Sequence, residues 1–363
     1  MTLDPSDPKN RDCPYFSPRE LFLAEAAKAI LIKDGPYGTA IQGAKLDEAG
    51  YRGETGLSHD QKGNNDLVNL TQPALIARIC QDYIDAGARV LATNSFNANR
   101  ISQADYGAEH LVRDINVAAA RVIRETVDAA TAKDGVPRFV VGAVGPTNKT
   151  LSLSPDVNDP GFREVDFDTV KDVYREQARA LVEGGSDFIL IETVFDTLNC
   201  KAGIMAVKEL ERELGREVPL MLSMTLTDLS GRNLSGHTVE AFWHSVRHAR
   251  ALTVGLNCSF GASQLRPHIR LLSGLVDTLL MAYPNAGLPN ELGQYDELPE
   301  TTAALVREWA EAGQVNILGG CCGNTPQHIA AMAKAVAGLT PRAVPVPPVV
   351  TRLAGLEPFV MAA

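Results

Sequence analysis

F-D-T-V-K-D-V-Y-R-E-Q-A-R-A-L-V-E-G-G-S-D-F-I-L-I-E-T, residues 167–193, carries two hydrophobic periods in one stretch. Over residues 167–183, Val170, Val173, Tyr174, Ala178 and Leu181 recur at three- and four-residue intervals, the spacing of one helix face. Gly184-Gly185 stops that helix. The period then disappears. Residues 188–192 are an apolar run closed by a carboxylate, which is how a strand buried on both faces reads. A helix that feeds at once into a doubly buried strand is one unit of a parallel α/β fold.

The same alternation extends in both directions. Candidate strands lie at 29–33, 89–93, 138–143, 188–192, 220–225, 252–256, 278–282 and 315–318. Between them come helical patterns. In one, Leu75, Ile76, Ile79, Tyr83 and Ile84 share a face before Gly87, and another starts at Pro326 behind the N-cap residue Thr325. Eight β/α repeats predict a closed (β/α)8 TIM barrel, with a doubly wound open sheet as the alternative. Residues 1–20 read as a polar tail, 21–340 as the barrel, and 341–363 as a Pro-rich C-terminal linker. Residues 43–70 form a long excursion between the first strand and its helix, of the kind that serves function or carries its own small structure.

The bulk properties narrow the function. A chain of 363 residues with 45% hydrophobic and 21% charged residues is an ordinary globular composition. A net charge of −10 with no local Lys/Arg cluster argues against nucleic acid and against an anionic membrane surface. No apolar stretch nears the roughly 20 residues of a membrane span, and the first ten residues show no apolar signal region. Six cysteines in a chain of this length, three of them clustered, fit a reducing compartment, so a cytoplasmic location is expected.

Barrel enzymes place their chemistry at the C-terminal strand ends. Here those ends carry Asp34-Gly35, Thr93-Asn94, Gly145-Pro146-Thr147-Asn148, Glu192-Thr193, Asn257-Cys258, Tyr283-Pro284-Asn285 and Cys321-Cys322. Glu192 follows three apolar residues with nothing local to neutralise it, which packing explains poorly. Asp34 fits a turn before Gly35 as well as a binding role, and Asp196 fits an N-cap of the next helix.

A lone cysteine is most often a packed apolar residue, and that accounts for Cys80 and Cys200 in helical patterns and Cys13 in the tail. Adjacent cysteines rarely bridge each other. The pair Cys321-Cys322 and Cys258, at the ends of two different strands, instead suit Zn²⁺: three thiolates leave one tetrahedral position open, as a catalytic zinc site needs. Gly319, Gly320 and Gly323 allow close backbone approach, and the helix from Thr325 points its positive end at the pair. A substrate thiol at the open position is held ionised at neutral pH, although a free thiol titrates at about 8.5. Three soft anionic donors make a poor Lewis acid, so the chemistry implied is alkyl transfer to sulfur rather than hydrolysis. Carboxylates at the mouth suit an ammonium group and backbone N–H groups a carboxylate, which together describe an amino acid bearing a thiol.

With these residues in place, roughly residues 30–340 resemble the homocysteine S-methyltransferase family. Within it they resemble the N-terminal homocysteine-binding region of cobalamin-dependent methionine synthase more than the betaine branch. The resemblance rests on K-G-N-N-D-L (62–67), T-N-S-F-N (93–97), G-P-T-N (145–148), S-P-D-V-N-D-P (154–160), I-L-I-E-T-V-F-D-T-L-N (189–199), G-L-N-C (255–258), P-N-A-G-L-P-N (284–290) and G-G-C-C-G (319–323). It implies a (β/α)8 barrel with Cys258, Cys321 and Cys322 as zinc ligands and Asn285 as a labile fourth ligand. It also implies an amino-acid pocket of Asp34, Glu192, Thr93 and Asn94. One departure is D-G-P-Y-G-T (34–39), where the family has D-G-x-M-G-T; Tyr37 adds bulk and a hydroxyl near the pocket.

Enzymes of this kind continue into folate, cobalamin and reactivation regions. These residues contain no D-x-H-x-x-G pattern to ligate cobalt, and R-L-A-G-L-E-P (352–358) resembles the stretch leading into the folate region. The resemblance therefore implies the homocysteine half of a split methionine synthase, making methionine with methylcobalamin supplied in trans by a cobalamin/folate-binding chain. The alternatives are another donor (betaine, S-methylmethionine or a related sulfonium), a zinc- and homocysteine-binding subunit without turnover, or a structural zinc.

Overall fold

The computed structural model describes residues 17–361, so Cys13 and most of the expected tail lie outside the described residues. Eight parallel strands follow one another: β1 Leu31–Ile32, β2 Val90–Ala92, β3 Phe139–Val144, β4 Phe188–Val194, β5 Leu220–Met224, β6 Thr253–Gly261, β7 Leu279–Asn285 and β8 Ile317–Leu318. Each pairs with the next in sequence from β2 to β8, and β8 pairs with β1. The remaining seam is closed by a bridge between Lys33 and Val90, with Arg89 N donating to Ile32 O at 2.7 Å and Asp34 N to Val90 O at 3.0 Å. The sheet is thus a (β/α)8 barrel, not an open doubly wound sheet.

Both strand faces are apolar because each faces a different core. Ile189 and Ile191 pack outward among the helices, whereas Phe188 and Leu190 pack into the barrel beside Phe139, Val141 and Met281. The helices Pro73–Asp85, Phe167–Glu183 and Pro326–Val336 form where the periodicity puts them. Asp196 caps Thr197–Leu214, accepting from Leu198 N and Asn199 N.

The N-terminal expectation needs correction. Ser17 caps a helix, Pro18–Lys28, that begins inside the stretch read as tail. Its Phe22 is fully buried, edge-on to Phe139 (4.9 Å) and Phe188 (5.2 Å), so this helix plugs the end of the barrel opposite the strand C-termini. Phe22→Ala leaves a cavity that rigid barrel walls cannot fill. It should destabilise the fold by about 3–5 kcal/mol, read as a lower denaturation midpoint with the m-value unchanged.

Residues 43–70 do carry structure of their own. They hold the helix Glu48–Arg52 and the start of Val68–Thr71, and Glu48 accepts from Gln61 N at 2.9 Å and Lys62 N at 2.7 Å. This ties Asn65 and Asp66 to the barrel mouth.

The C-terminal segment is more than a linker. Arg352–Ala354 and Pro358–Val360 pair as an antiparallel hairpin, β9 and β10, docked where Thr238 N donates to Leu356 O at 3.2 Å. Upstream, the buried Arg342 guanidinium donates to the carbonyls of Ser273, Val276 and Thr278 and pins the chain as it leaves the barrel. Among the described residues no helix is long and apolar enough to cross a membrane.

Candidate active site

β6 runs further than its apolar residues suggest, and the extension builds the site. Its register against β7 slips between Asn257 and Gly261, and Cys258 and Ser259 take left-handed backbone angles, φ 62° and 60°. Such angles cost a non-glycine residue about 1–3 kcal/mol and persist where the surroundings enforce them. The irregularity re-aims Cys258 so that its Sγ stands 3.8 Å from Cys322 Sγ. All three sulfurs, with Cys321, lie within 4.8 Å of one another.

Cys321 and Cys322 lie on the turn after β8, stitched to β7 by Cys321 N donating to Pro284 O (2.8 Å) and Ala286 N to Cys322 O (2.9 Å). Gly323 completes the turn with φ 78°, and a Cβ there would fall 2.3 Å from Tyr295 Cβ. Gly323→Ala therefore has to displace this turn. Its expected effect is a loss of metal affinity of about 10-fold or more, measured by competition with a chromophoric chelator, with the barrel still folded.

The donor set suits a tetrahedral soft ion. With metal–sulfur bonds of about 2.3 Å, two ligands of a zinc tetrahedron stand roughly 3.8 Å apart, which is the Cys258–Cys322 spacing. Asn285, at the end of β7 between the strands that deliver the thiols, has a buried Oδ1 without a hydrogen-bond partner. Hydrogen bonds from Cys258 and Cys321 hold the Cys322 thiol down at about 3, while the same contacts push Cys321 up. Asn257 braces the centre: its Nδ2 donates to Thr193 Oγ1 at 2.8 Å and lies 3.9 Å from Cys321 Sγ, and its Oδ1 accepts from Ser223 Oγ.

A cavity of about 340 Å³ opens beside the sulfurs, lined by the three cysteines and by Thr93, Asn94 and Glu192 among others. Glu192 Oε2 accepts from Tyr283 Oη at 2.9 Å. Burial raises this carboxyl above its ordinary value, against the pull of Lys33 and the Tyr283 hydrogen bond. Thr93 Oγ1 accepts from Ala143 N at 2.9 Å, and Asn94 Nδ2 donates to Asn65 O at 2.7 Å, so both are fixed as wall rather than free to swing.

Two of the residues singled out in the sequence are buried and do not line that cavity. Asn285 is buried and absent from the lining, and Asp34 is fully buried with both oxygens engaged, by Lys33 Nζ at 2.9 Å and Ala92 N at 2.7 Å. Lys33 itself lines the cavity. It read in the sequence only as the last residue of a strand, where a lysine is normally a solvated end. Tyr37 contributes to the wall, but its hydroxyl is buried, so the departure from the family motif does not present a new polar group to the cavity.

A closed (β/α)8 barrel with three converged thiols at its mouth, next to an ionic pocket, defines a barrel enzyme of sulfur chemistry. The homocysteine S-methyltransferase family matches residues 31–336, and the chain belongs to that family of methyltransferases. Among solved structures, the barrel is similar to the metallated form of the homocysteine methyltransferase MmuM from Escherichia coli. The TM-score is 0.67 at 23% identity, over 86% of this chain and 99% of that one. The oxidized form of the same protein gives a TM-score of 0.66 at 22% identity, over 84% and 95% of the two chains. The apo form gives 0.61 at 22%, over 85% and 96%. At this identity the likeness is one of fold.

Proposed function

We propose that this chain is a zinc-dependent homocysteine S-methyltransferase that makes methionine in the cytoplasm, with methylcobalamin on a separate cobalamin/folate-binding chain as the methyl donor. The observation that carries the reading is the convergence of Cys258, Cys321 and Cys322 on one point beside a cavity that holds Glu192. These three residues would hold the zinc, and Asn285 would complete its shell until substrate arrives. When bound, zinc supplies one thing: it keeps the thiol of homocysteine deprotonated at neutral pH.

The remaining work belongs to side chains of the pocket. Glu192 has one oxygen committed to Tyr283 and offers the other to the substrate ammonium. Thr93 and Asn94 shape the wall against which the amino acid lies, and Asp34 acts through Lys33. In the transfer the new sulfur–carbon bond forms as the donor's bond to the methyl breaks, and the electron pair of that bond leaves with the donor.

The motifs shared with methionine synthase favour methylcobalamin over betaine or S-methylmethionine. The 363 residues contain no D-x-H-x-x-G pattern to ligate cobalt, in keeping with a donor supplied in trans. The five described cysteines form no disulfide, which fits a reducing compartment. The test is a donor panel. Zinc-loaded protein with homocysteine should form methionine slowly from free methylcobalamin, much faster when a cobalamin-carrying chain is added, and not from betaine or S-methylmethionine. Rapid turnover with either small donor would replace the proposed one.

A further inference from the structure

Lys33 is a cation built into the wall of an amino-acid pocket. It is 4% exposed, its Nζ donates to Asp34 Oδ1 at 2.9 Å, and it sits over the Tyr283 ring at 4.8 Å from the centroid. An ammonium has three N–H donors and accepts nothing. Among the described residues Asp34 Oδ1 is its one hydrogen-bond acceptor, so this buried ammonium keeps N–H donors beyond that bond, and Lys33 is part of the cavity lining. Leaving such donors unmet is costly, and an anionic group arriving in the cavity would meet them.

The neighbouring charges make the direction of this preference specific. Asp34 is spent on Lys33 and the Ala92 amide and is shut off from the cavity. Glu192 lines it with one oxygen uncommitted to Tyr283. The cavity lining therefore holds one cation, Lys33, and two carboxylates, Glu192 and Asp66, of which Asp66 Oδ1 accepts from Asn97 N at 3.0 Å; the pair Glu192 and Lys33 matches a zwitterion rather than an amine. The Asp34 carboxylate positions the ammonium, and the Tyr283 ring flanks it while the Tyr283 hydroxyl holds Glu192, so both charged groups are set by one aromatic side chain.

We propose that Lys33 is the substrate-carboxylate anchor of this site and thereby selects amino-acid thiols over simple thiols and aminothiols. The proposal rests on the amino-acid substrate proposed above and names the group that reads its carboxylate.

The experiment measures thiol binding to zinc-loaded protein by calorimetric titration, with no methyl donor present. The probes are homocysteine, 3-aminopropanethiol, which lacks its carboxylate, 4-mercaptobutanoate, which lacks its amino group, and propanethiol, which lacks both. Wild-type protein should bind 4-mercaptobutanoate at least about 10-fold more tightly than propanethiol. Lys33→Met should weaken homocysteine and 4-mercaptobutanoate by about 10- to 100-fold while leaving 3-aminopropanethiol within about twofold, and Lys33→Arg should recover most of the loss. Equal weakening of all four thiols by Lys33→Met would reduce Lys33 to a structural partner of Asp34 and overturn the proposal. So would wild-type protein that does not distinguish 4-mercaptobutanoate from propanethiol, a comparison that needs no variant. If homocysteine itself fails to bind, the substrate reading falls first and this one with it.

Discussion

Cys322→Ala should abolish both metal retention and methyl transfer while the barrel stays folded. Two thiols remain, Cys258 and Cys321, and a soft ion loses a charged ligand that an alanine methyl cannot replace. Removing groups that only support metal ligands already costs about 10- to 100-fold in affinity, so loss of a ligand should exceed that, and methionine formation should drop by at least about 1000-fold. Stability should change little, because Cys322 is a partly exposed turn residue outside the apolar cores. Metal analysis after dialysis, beside a thermal melt, checks both halves. Full zinc occupancy in Cys322→Ala would mean that the ion sits elsewhere.

The second large effect falls on Glu192. Glu192→Gln keeps the shape and still accepts from Tyr283 Oη, but it removes the charge facing the cavity. Truncating one partner of a buried charged pair costs about 2–5 kcal/mol, so KM for homocysteine should rise by about 100-fold. The interaction is made to substrate and transition state alike, so kcat should move far less. The pH dependence supplies an independent check. Burial raises the Glu192 carboxyl, so in wild-type protein protonation sets in above the ordinary carboxylate range and homocysteine binding weakens as pH falls. Glu192→Gln cannot be protonated, so that limb should vanish from its profile. An unchanged KM in the variant would remove Glu192 from the substrate contacts.

The barrel was legible because its central strands obey a simple rule. Residues 188–192 and 220–225 read as apolar runs since each strand is covered on both faces, and the structure places β4 and β5 on them. β1 and β8 keep only two residues each of ladder, yet the flanking Asp34 and Cys321 still mark where the chain reaches the mouth. What stayed hidden has physical causes. The course of β6 through Cys258 depends on left-handed angles at Cys258 and Ser259 that no glycine announces.

The plug helix joins the core through few large side chains, chiefly Phe22, too sparse a pattern to stand out from a tail; Ser17-Pro18 with Glu20 was the capping signal available. The hairpin after the Pro-rich run has short strands of mixed polarity. Within the site, the three cysteines could be found because the residue type carries the chemistry. Lys33 could not, since only the closure of β1 onto β2 and β8 turns a strand-end lysine into a buried cation beside Asp34.

Zinc K-edge X-ray absorption on the zinc-loaded protein, before and after homocysteine, tests the central claim most directly. The account predicts three sulfurs and one lighter atom at zinc in the resting protein, and four sulfurs once homocysteine is added. A spectrum that homocysteine leaves unchanged would contradict it, because the ion would then hold the fold together rather than hold the substrate.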